Sequence, residues 1–378
     1  MQRLTSPPRA DWEHIVEAQG LIYHHTANGV YWDESACYLF TAREVDELEA
    51  ATNELQARCL DAAQHVIDNK RFDEFGIPPA AVPAIVWAWE NEPPAIYGRF
   101  DLIYDGRTPP KLLEYNADTP TALIEAAIAQ WYWKEDVRKG TDQFNSIHEK
   151  LVAKWKELKE YLSGDVLYFA ALAEQQAEDL MTATYLRDTA IEAGLTTEAL
   201  LIGDIGWDPN AHEFVDLQQR TMRSIFKLYP WEWMVWETFG EHALDTYKRV
   251  QWIEPIWKML WSNKAILAVL WELFPNHPNL VPAYLETPRD LTSYVKKPKM
   301  SREGSNVAVV VNERRVVETA GDYGEEGFVF QRFVPPANEQ HPIIGSWVVD
   351  GVSAGMGIRE STALVTDNLS RFVPHFFE

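Results

Sequence analysis

Apolar positions recur at helical spacing through AREVDELEAATNELQARCLDAAQHVIDNK, where Val45, Leu48, Leu55, Cys59, Ala63 and Val66 share one face. The stretch predicts a long helix in a helical N-terminal layer over residues 1–90. An aromatic segment precedes it, YHHTANGVYWDESACYLF, with a turn expected at Ala27-Asn28-Gly29. Past Pro78, Pro79, Pro83, Pro93 and Pro94 the pattern switches to alternation. IYGRFDLIYD and KLLEYNADTP, separated by GRTPP, predict two strands on a short loop, and TALIEAAIAQWYW predicts a helix entered through Asp118, Thr119 and Pro120. These elements make a unit over 91–140. From Asn145 the chain alternates, with a helix through Tyr161, a strand DVLYFAAL, a helix near Ala177 to Ala193 and a strand EALLIG. That is an α/β layer over 141–220. Residues 220–275 are Trp-rich and read as mostly helical, ending in SNKAILAVLWELF with Ser262 or Asn263 as N-cap. From Tyr294 onward the last unit, 221–378, turns strand-rich through SYVKKP, SNVAVVV, RRVVET, GFVFQRF, IIGSWVVD and VSAGMGI. The fold class expected is α/β (α+β).

At 378 residues, 46% hydrophobic and 24% charged, the chain has ordinary globular composition and enough length for two or three packed units. No apolar run approaches a membrane span, and MQRLTSPPRADWEHIVEAQG lacks the apolar core of a secretion signal. Cys37 and Cys59 form neither a disulfide framework nor a CxxC pattern, so a cytoplasmic location is expected. Lys and Arg number 34 against 57 Asp and Glu, a net charge of -23. That sign disfavours nucleic acid. It leaves two readings, solubility or an acidic cleft that attracts a cationic small molecule.

Alternate strand residues face opposite ways, so Arg99 and Asp101 share a face, as do Glu114 and Asn116. Paired in register, these four would converge. Two carboxylates and an amide suit Mg²⁺, and an arginine beside them suits a phosphoryl oxygen. The same residues would also serve as an ordinary cross-strand salt bridge. The polar Asn-Ala-Asp-Thr-Pro stretch at the start of a helix adds a place that favours anions. YVKKPKMSREGSNVAVVV sets Lys296 and Lys297 at a strand end before a loop with Gly304, Ser305 and Asn306, whose amides suit phosphates or merely form a hairpin turn. Lys264 reads as a surface lysine on its own, and Lys299 and Arg302 as solvated. GVSAGMGIRES carries Arg359 and Glu360 on a Gly-spaced strand. His24, His25, His341 and His375 lack zinc spacing and read as structural.

In order, YGRFDLIYD, LLEYNADTPT, NKAIL, KKPKMSREGSNV, FVFQRF, IIGSWVVDG and GMGIRE with SRFVPH resemble the synthetase part of the glutathionylspermidine synthase family. Within it they are similar to stand-alone bacterial members assigned as acid–amine ligases. The resemblance runs from about Asp11 to Phe377. It implies an ATP-grasp-like fold with circularly permuted motif order, metal-binding strands early and nucleotide-binding strands late, beside a pre-ATP-grasp-like α/β layer. It implies ATP and two Mg²⁺ ions, and an amide formed from an acid and an amine through an acyl phosphate. A peptide carboxylate and a polyamine are the candidate substrates. Asp101, Glu114 and Asn116 would bind metal, Arg99 and Arg359 would steady the transferred phosphoryl group, and Lys264 and Lys297 would contact phosphates. Gly304, Ser305 and Asn306 would belong to the lid loop, and Gln331 would lie beside adenine. Thr119, Thr121, Glu178 and Asp179 would contact the acid substrate.

The bifunctional members carry an amidase domain with a catalytic cysteine; Cys37 and Cys59 lie in no such motif, so product hydrolysis is not expected. Threonines stand where serines follow the NAD stretch, which sets glutathione apart from the expected acid. The alternative is a catalytically silent nucleotide- or polyamine-binding protein of the same fold. A carboxylate kinase is a third reading.

Overall fold

Thr41 starts the long helix Ala42–Asp68 with a reciprocal cap. Its hydroxyl accepts the Glu44 N–H at 3.3 Å, and the Glu44 carboxylate accepts the Thr41 N–H at 2.9 Å. The predicted apolar face is buried, from Val45 through Val66. It packs on a five-stranded antiparallel sheet of spatial order Arg371–Val373, Val352–Glu360, Ile343–Val349, Tyr97–Ile103, Lys111–Asn116. Thr52 bonds Ser346 at 2.7 Å, and Tyr115 donates to Gln56 at 2.7 Å, so the helix and sheet are also pinned by polar contacts. Phe100 and Tyr115 stack on this side with ring centroids 3.8 Å apart. Burying such rings stabilises by roughly 1.5–3 kcal/mol each.

The computed structural model describes residues 1–26, 29–173, 178–302, 304–365 and 370–378. Ala27 and Asn28 of the expected turn, and Ala177 of the expected helix start, lie outside the described residues; the helix itself spans Glu178–Glu192. The N-terminal layer holds more than helix. Ala36–Phe40 is a strand between Gln2–Thr5 and His375–Phe377, which ties the two ends of the chain together.

A second antiparallel sheet runs Ala283–Leu285, Phe328–Arg332, Tyr294–Pro298, Ala308–Val311, Arg314–Glu318. A third, fully parallel sheet runs Gln251–Ile253, Ser224–Leu228, Leu167–Ala171, Thr197–Leu201. Two of these parallel strands correct the helical reading of residues 220–275. SIFKL is buried at all five positions, and a strand covered on both faces loses the alternation by which strands are recognised. The first sheet joins residues 97–116 to 343–373, so early and late segments share one element. Among the described residues no helix is long and apolar enough to cross a membrane.

Candidate functional site

The strand pair forms with Arg99 opposite Asn116 and Asp101 opposite Glu114, followed by a register shift between Asp101 and Leu102. Gly98, Phe100 and Leu102 turn to the other side, where Phe100 and Leu102 enter the core against the long helix. Glu254 fixes the start of the first strand. Its carboxylate accepts the Ile96 N–H at 2.9 Å and the Tyr97 N–H at 3.1 Å and pairs with Lys258. Burial raises the Glu254 carboxyl despite Lys258.

Arg99 lies flat along the sheet because the neighbouring strand offers glycine. A Cβ at Gly345 would stand 2.9 Å from Arg99 Cδ. Arg99 donates to both Asp101 oxygens, at 2.7 and 3.1 Å, and to the Thr121 carbonyl at 2.6 Å. Arg359, from the Gly-spaced strand, donates to Asp101 Oδ2 at 2.7 Å. One carboxylate thus holds two guanidiniums. Glu114 sits 3.2 Å from the Lys264 ammonium and accepts from Asn116 at 3.3 Å. Burial alone would raise the Glu114 carboxyl, but Lys264 and Lys297 hold it below the ordinary carboxylate range.

The second sheet closes over this pair. Along Tyr294–Pro298, Lys296 covers the Phe328 ring while Lys297 turns the other way and donates to the Leu113 carbonyl at 3.0 Å and to Gln331 at 2.8 Å. Gln331 in turn donates to the Leu112 carbonyl at 2.8 Å. Burial, opposed by Glu114 and reinforced by Lys264, brings the Lys297 ammonium down to about 8.

The cleft enclosed by the three sheets is lined by Arg99, Asp101, Glu114, Asn116, Thr119, Thr121, Glu178, Asp179, Lys264, Lys297, Gly304, Gln331 and Arg359. Ser305 and Asn306 lie outside that lining; Ser305 closes a turn onto the Arg302 carbonyl, and Asn306 donates to the Tyr323 carbonyl. Lys264 is not a surface lysine but buried, donating to the Ser301 carbonyl at 2.6 Å. Lys299 is buried as well, 3.7 Å from Glu286.

Arg302, read from the sequence as solvated, is instead a residue of the cleft. It lines the cleft, donates to Thr119 Oγ1 at 2.8 Å, and faces Glu232 at 3.6 Å. Its one sequence signal is its place two residues before Gly304. Asp118 is also repositioned. It does not cap a helix; it takes Lys227 at 2.7 Å and the Trp231 N–H at 2.8 Å, both deep in the interior. Ser262 accepts the N–H groups of Ala117 and Asp118 at 3.1 and 2.9 Å, so it braces this loop, while Asn263 accepts from Ala265 at 2.9 Å.

Electrostatically the cleft differs from the molecule. Its described lining carries six cations (Arg99, Lys264, Lys297, Arg302, Arg332, Arg359) and four anions (Asp101, Glu114, Glu178, Asp179). Among the described residues the lining is therefore not the acidic one that the charge of -23 suggests. Such a lining favours an anionic ligand.

A family model described as glutathionylspermidine synthase preATP-grasp matches residues 3–378. A Haemophilus influenzae protein named "Putative acid–amine ligase" is 40% identical over 394 aligned positions that cover all of both chains. The bifunctional glutathionylspermidine synthetase/amidase of Escherichia coli is 27% identical across 92% of this chain and 60% of that protein. Trypanothione synthetase of Crithidia fasciculata is 28% identical across 80% of this chain and 50% of that one. The chain thus spans all of the first relative but less than two thirds of the other two. Among solved structures, a glutathione synthetase-like effector from Globodera pallida has a TM-score of 0.57 at 10% identity, covering 99% of this chain and 100% of that one. That likeness concerns the fold alone.

Proposed function

The chain belongs to the glutathionylspermidine synthase family, and on that premise we propose that it is an ATP-dependent carbon–nitrogen ligase joining a small-molecule acid to an amine. The fold we propose is a permuted ATP-grasp, in which the early strand pair supplies metal ligands and the later sheet supplies the nucleotide-binding groups. The observation that carries this reading is convergence. Asp101, Glu114 and Asn116 from the early pair face Lys264, Lys297 and Gln331 across one cleft.

The donor set fits the metal. Two carboxylates and an amide, paired across adjacent strands, are hard oxygen ligands of the kind Mg²⁺ prefers alongside phosphate oxygens, and the proposal places two ions there. Bound Mg²⁺ would supply charge neutralisation at the phosphates.

The chain's own groups divide the remaining work. Lys264 and Lys297 hold the nucleotide phosphates, the Gly304 loop covers them, and Gln331 orients the base. The acid's carboxylate oxygen attacks the γ-phosphorus and ADP leaves. Arg99 and Arg359 stand where charge develops in that step. The amine nitrogen then attacks the acyl carbon, phosphate leaves, and the amine proton passes to a carboxylate, for which Glu178 and Asp179 line the cleft. Thr119 and Thr121, with Arg302 on the Thr119 hydroxyl, position the acid.

Incubating the protein with ATP, Mg²⁺ and a matrix of acids and amines, with ADP and product mass as readouts, tests this. The expected product is acid plus amine minus water, formed only when both are present. Asp101→Ala and Glu114→Ala should each abolish ADP formation. ADP release that needs no nitrogen nucleophile would replace the ligase with a carboxylate kinase. ATP binding without turnover for every pair would identify a silent binding protein.

A further inference from the structure

Away from the cleft, the short helix Trp12–Ala18, the strand His25–Thr26 and His24 just before it bring four potential ligands together. Consecutive residues of an extended chain point to opposite faces. His24 and His25 do not separate in this way. Their ring centroids are 4.9 Å apart and their Nδ1 atoms 2.8 Å apart. Trp12 holds both rings, edge-on to His24 and stacked on His25, each at 5.6 Å.

The outer nitrogens each meet a carboxylate. His24 Nε2 is 3.0 Å from Glu17 and His25 Nε2 is 3.5 Å from Glu13. A neutral imidazole has one N–H and one lone pair. If each Nε2–H turns to its carboxylate, the two Nδ1 lone pairs face each other at 2.8 Å. The Nδ1–H tautomer of one ring, a shared proton or a cation bound by both relieves that repulsion. For His24, the Glu17 carboxylate behind Nε2 is also the arrangement that orients a histidine onto a metal and raises its basicity. A ligand atom from each of Glu13, His24 and His25 lies within 4.8 Å of the other two. Tetrahedral ligands about 2.0–2.1 Å from a common ion stand about 3.3–3.4 Å apart. A turn of the exposed Glu13 side chain, moving its carboxylate by roughly an ångström or more, would close the set.

We propose that Glu13, His24 and His25 form a binding site for an imidazole-preferring divalent transition-metal ion, with Zn²⁺ as the reference, and that Glu17 orients His24. Two nitrogens and one carboxylate select against Mg²⁺, so this site is chemically separate from the cleft. Its role would be to fasten the N-terminal helix to the adjoining strand.

The test titrates Zn²⁺ into the full, chelator-treated chain against a chromophoric competitor, in excess Mg²⁺ to occupy the oxygen sites. One high-affinity ion per chain is expected. His24→Gln and His25→Gln should each remove it, and Glu17→Gln should weaken it by about 10- to 100-fold. His14→Ala, which alters a histidine 3.9 Å from Glu17 on the exposed side of the helix, should leave it intact. Nitrogen splitting from two imidazoles in the spectrum of bound Cu²⁺ reads the site on the unmutated chain, so misfolded variants would not blunt the test. Equal Zn²⁺ affinity in wild type and both histidine variants, or Cu²⁺ without two nitrogen ligands, would overturn the proposal.

Discussion

Removing the Arg359 guanidinium should slow the chemical step far more than it weakens nucleotide binding. Arg359 contributes one hydrogen bond, 2.7 Å long, to Asp101, and its side chain is 19% exposed. Asp101 retains both contacts from Arg99 when Arg359 is truncated, so no carboxylate is left buried and unpaired. The stability cost should therefore be about 1.5–3 kcal/mol, the range of a hydrogen bond between charged groups. A donor aimed at developing charge has a larger effect on the barrier, about 2.7–4 kcal/mol, or 10²–10³ in kcat. In Arg359→Ala we expect that loss in ADP release at saturating acid and amine, with ATP affinity by calorimetry changed by no more than roughly threefold, an allowance of under 1 kcal/mol. Arg359→Lys keeps the charge without the planar fork and should restore only part of the rate. Equal losses in kcat and ATP affinity would refute the reasoning, because they would make Arg359 a ground-state ligand.

The Lys227–Asp118 pair, 2.7 Å apart with side chains 0% and 2% exposed, should behave as a buried ion pair. Lys227→Met should destabilise by about 3–5 kcal/mol by stranding Asp118, and Lys227→Met with Asp118→Asn should recover much of it in urea unfolding; additive single effects would show that the two are not coupled. Glu125 is buried behind the cleft with the Tyr31 hydroxyl at 2.7 Å, and burial, aided by the charge of Glu178, raises its carboxyl to about 7 from 4.5. Between those values the folded state binds more protons than the unfolded one, so stability should fall as pH rises, by up to about 1.4 kcal/mol per pH unit. Glu125→Gln should remove that slope in denaturation curves taken across the window; an unchanged slope would place the protonation elsewhere.

Local pattern was enough to read the strand pair, where apolar and polar residues alternate, and the strand-rich C-terminal part, where short runs rich in valine, isoleucine and aromatic residues are set off by glycine, proline and asparagine. Register followed from the same alternation, since a one-residue slip would carry Phe100 and Tyr115 out of the core. Two of the four parallel strands, Ser224–Leu228 and Gln251–Ile253, were not legible. Ser224–Leu228 is buried throughout, so period offers no signal, and the surrounding tryptophans suit a buried helix equally well. Side chains whose partners are distant in sequence were also misread. Asp118 looks like a helix cap until Lys227 arrives from a strand over a hundred residues away, and Arg302 looks solvated until Thr119 and Glu232 are folded against it.

The same limit explains the charge. A net charge of -23 is a sum over the whole chain and carries no information about where the signs fall, whereas the described cleft lining has two more cations than anions. A cleft built for a polyamine alone would not gather six cations. One built for a nucleotide alone would gain nothing from Glu178 and Asp179. These two acids come from the helix that follows Leu167–Ala171, on the parallel-sheet side, whereas Lys264 and Lys297 meet Glu114 beneath the second sheet. Anionic phosphates and a cationic amine would then be recognised by different elements in one enclosure, each by groups of opposite sign. In the proposed reaction, bringing the acid between them would require the positive side to outweigh the negative, because its first step would join two anions while its second would need an amine that has given up its charge.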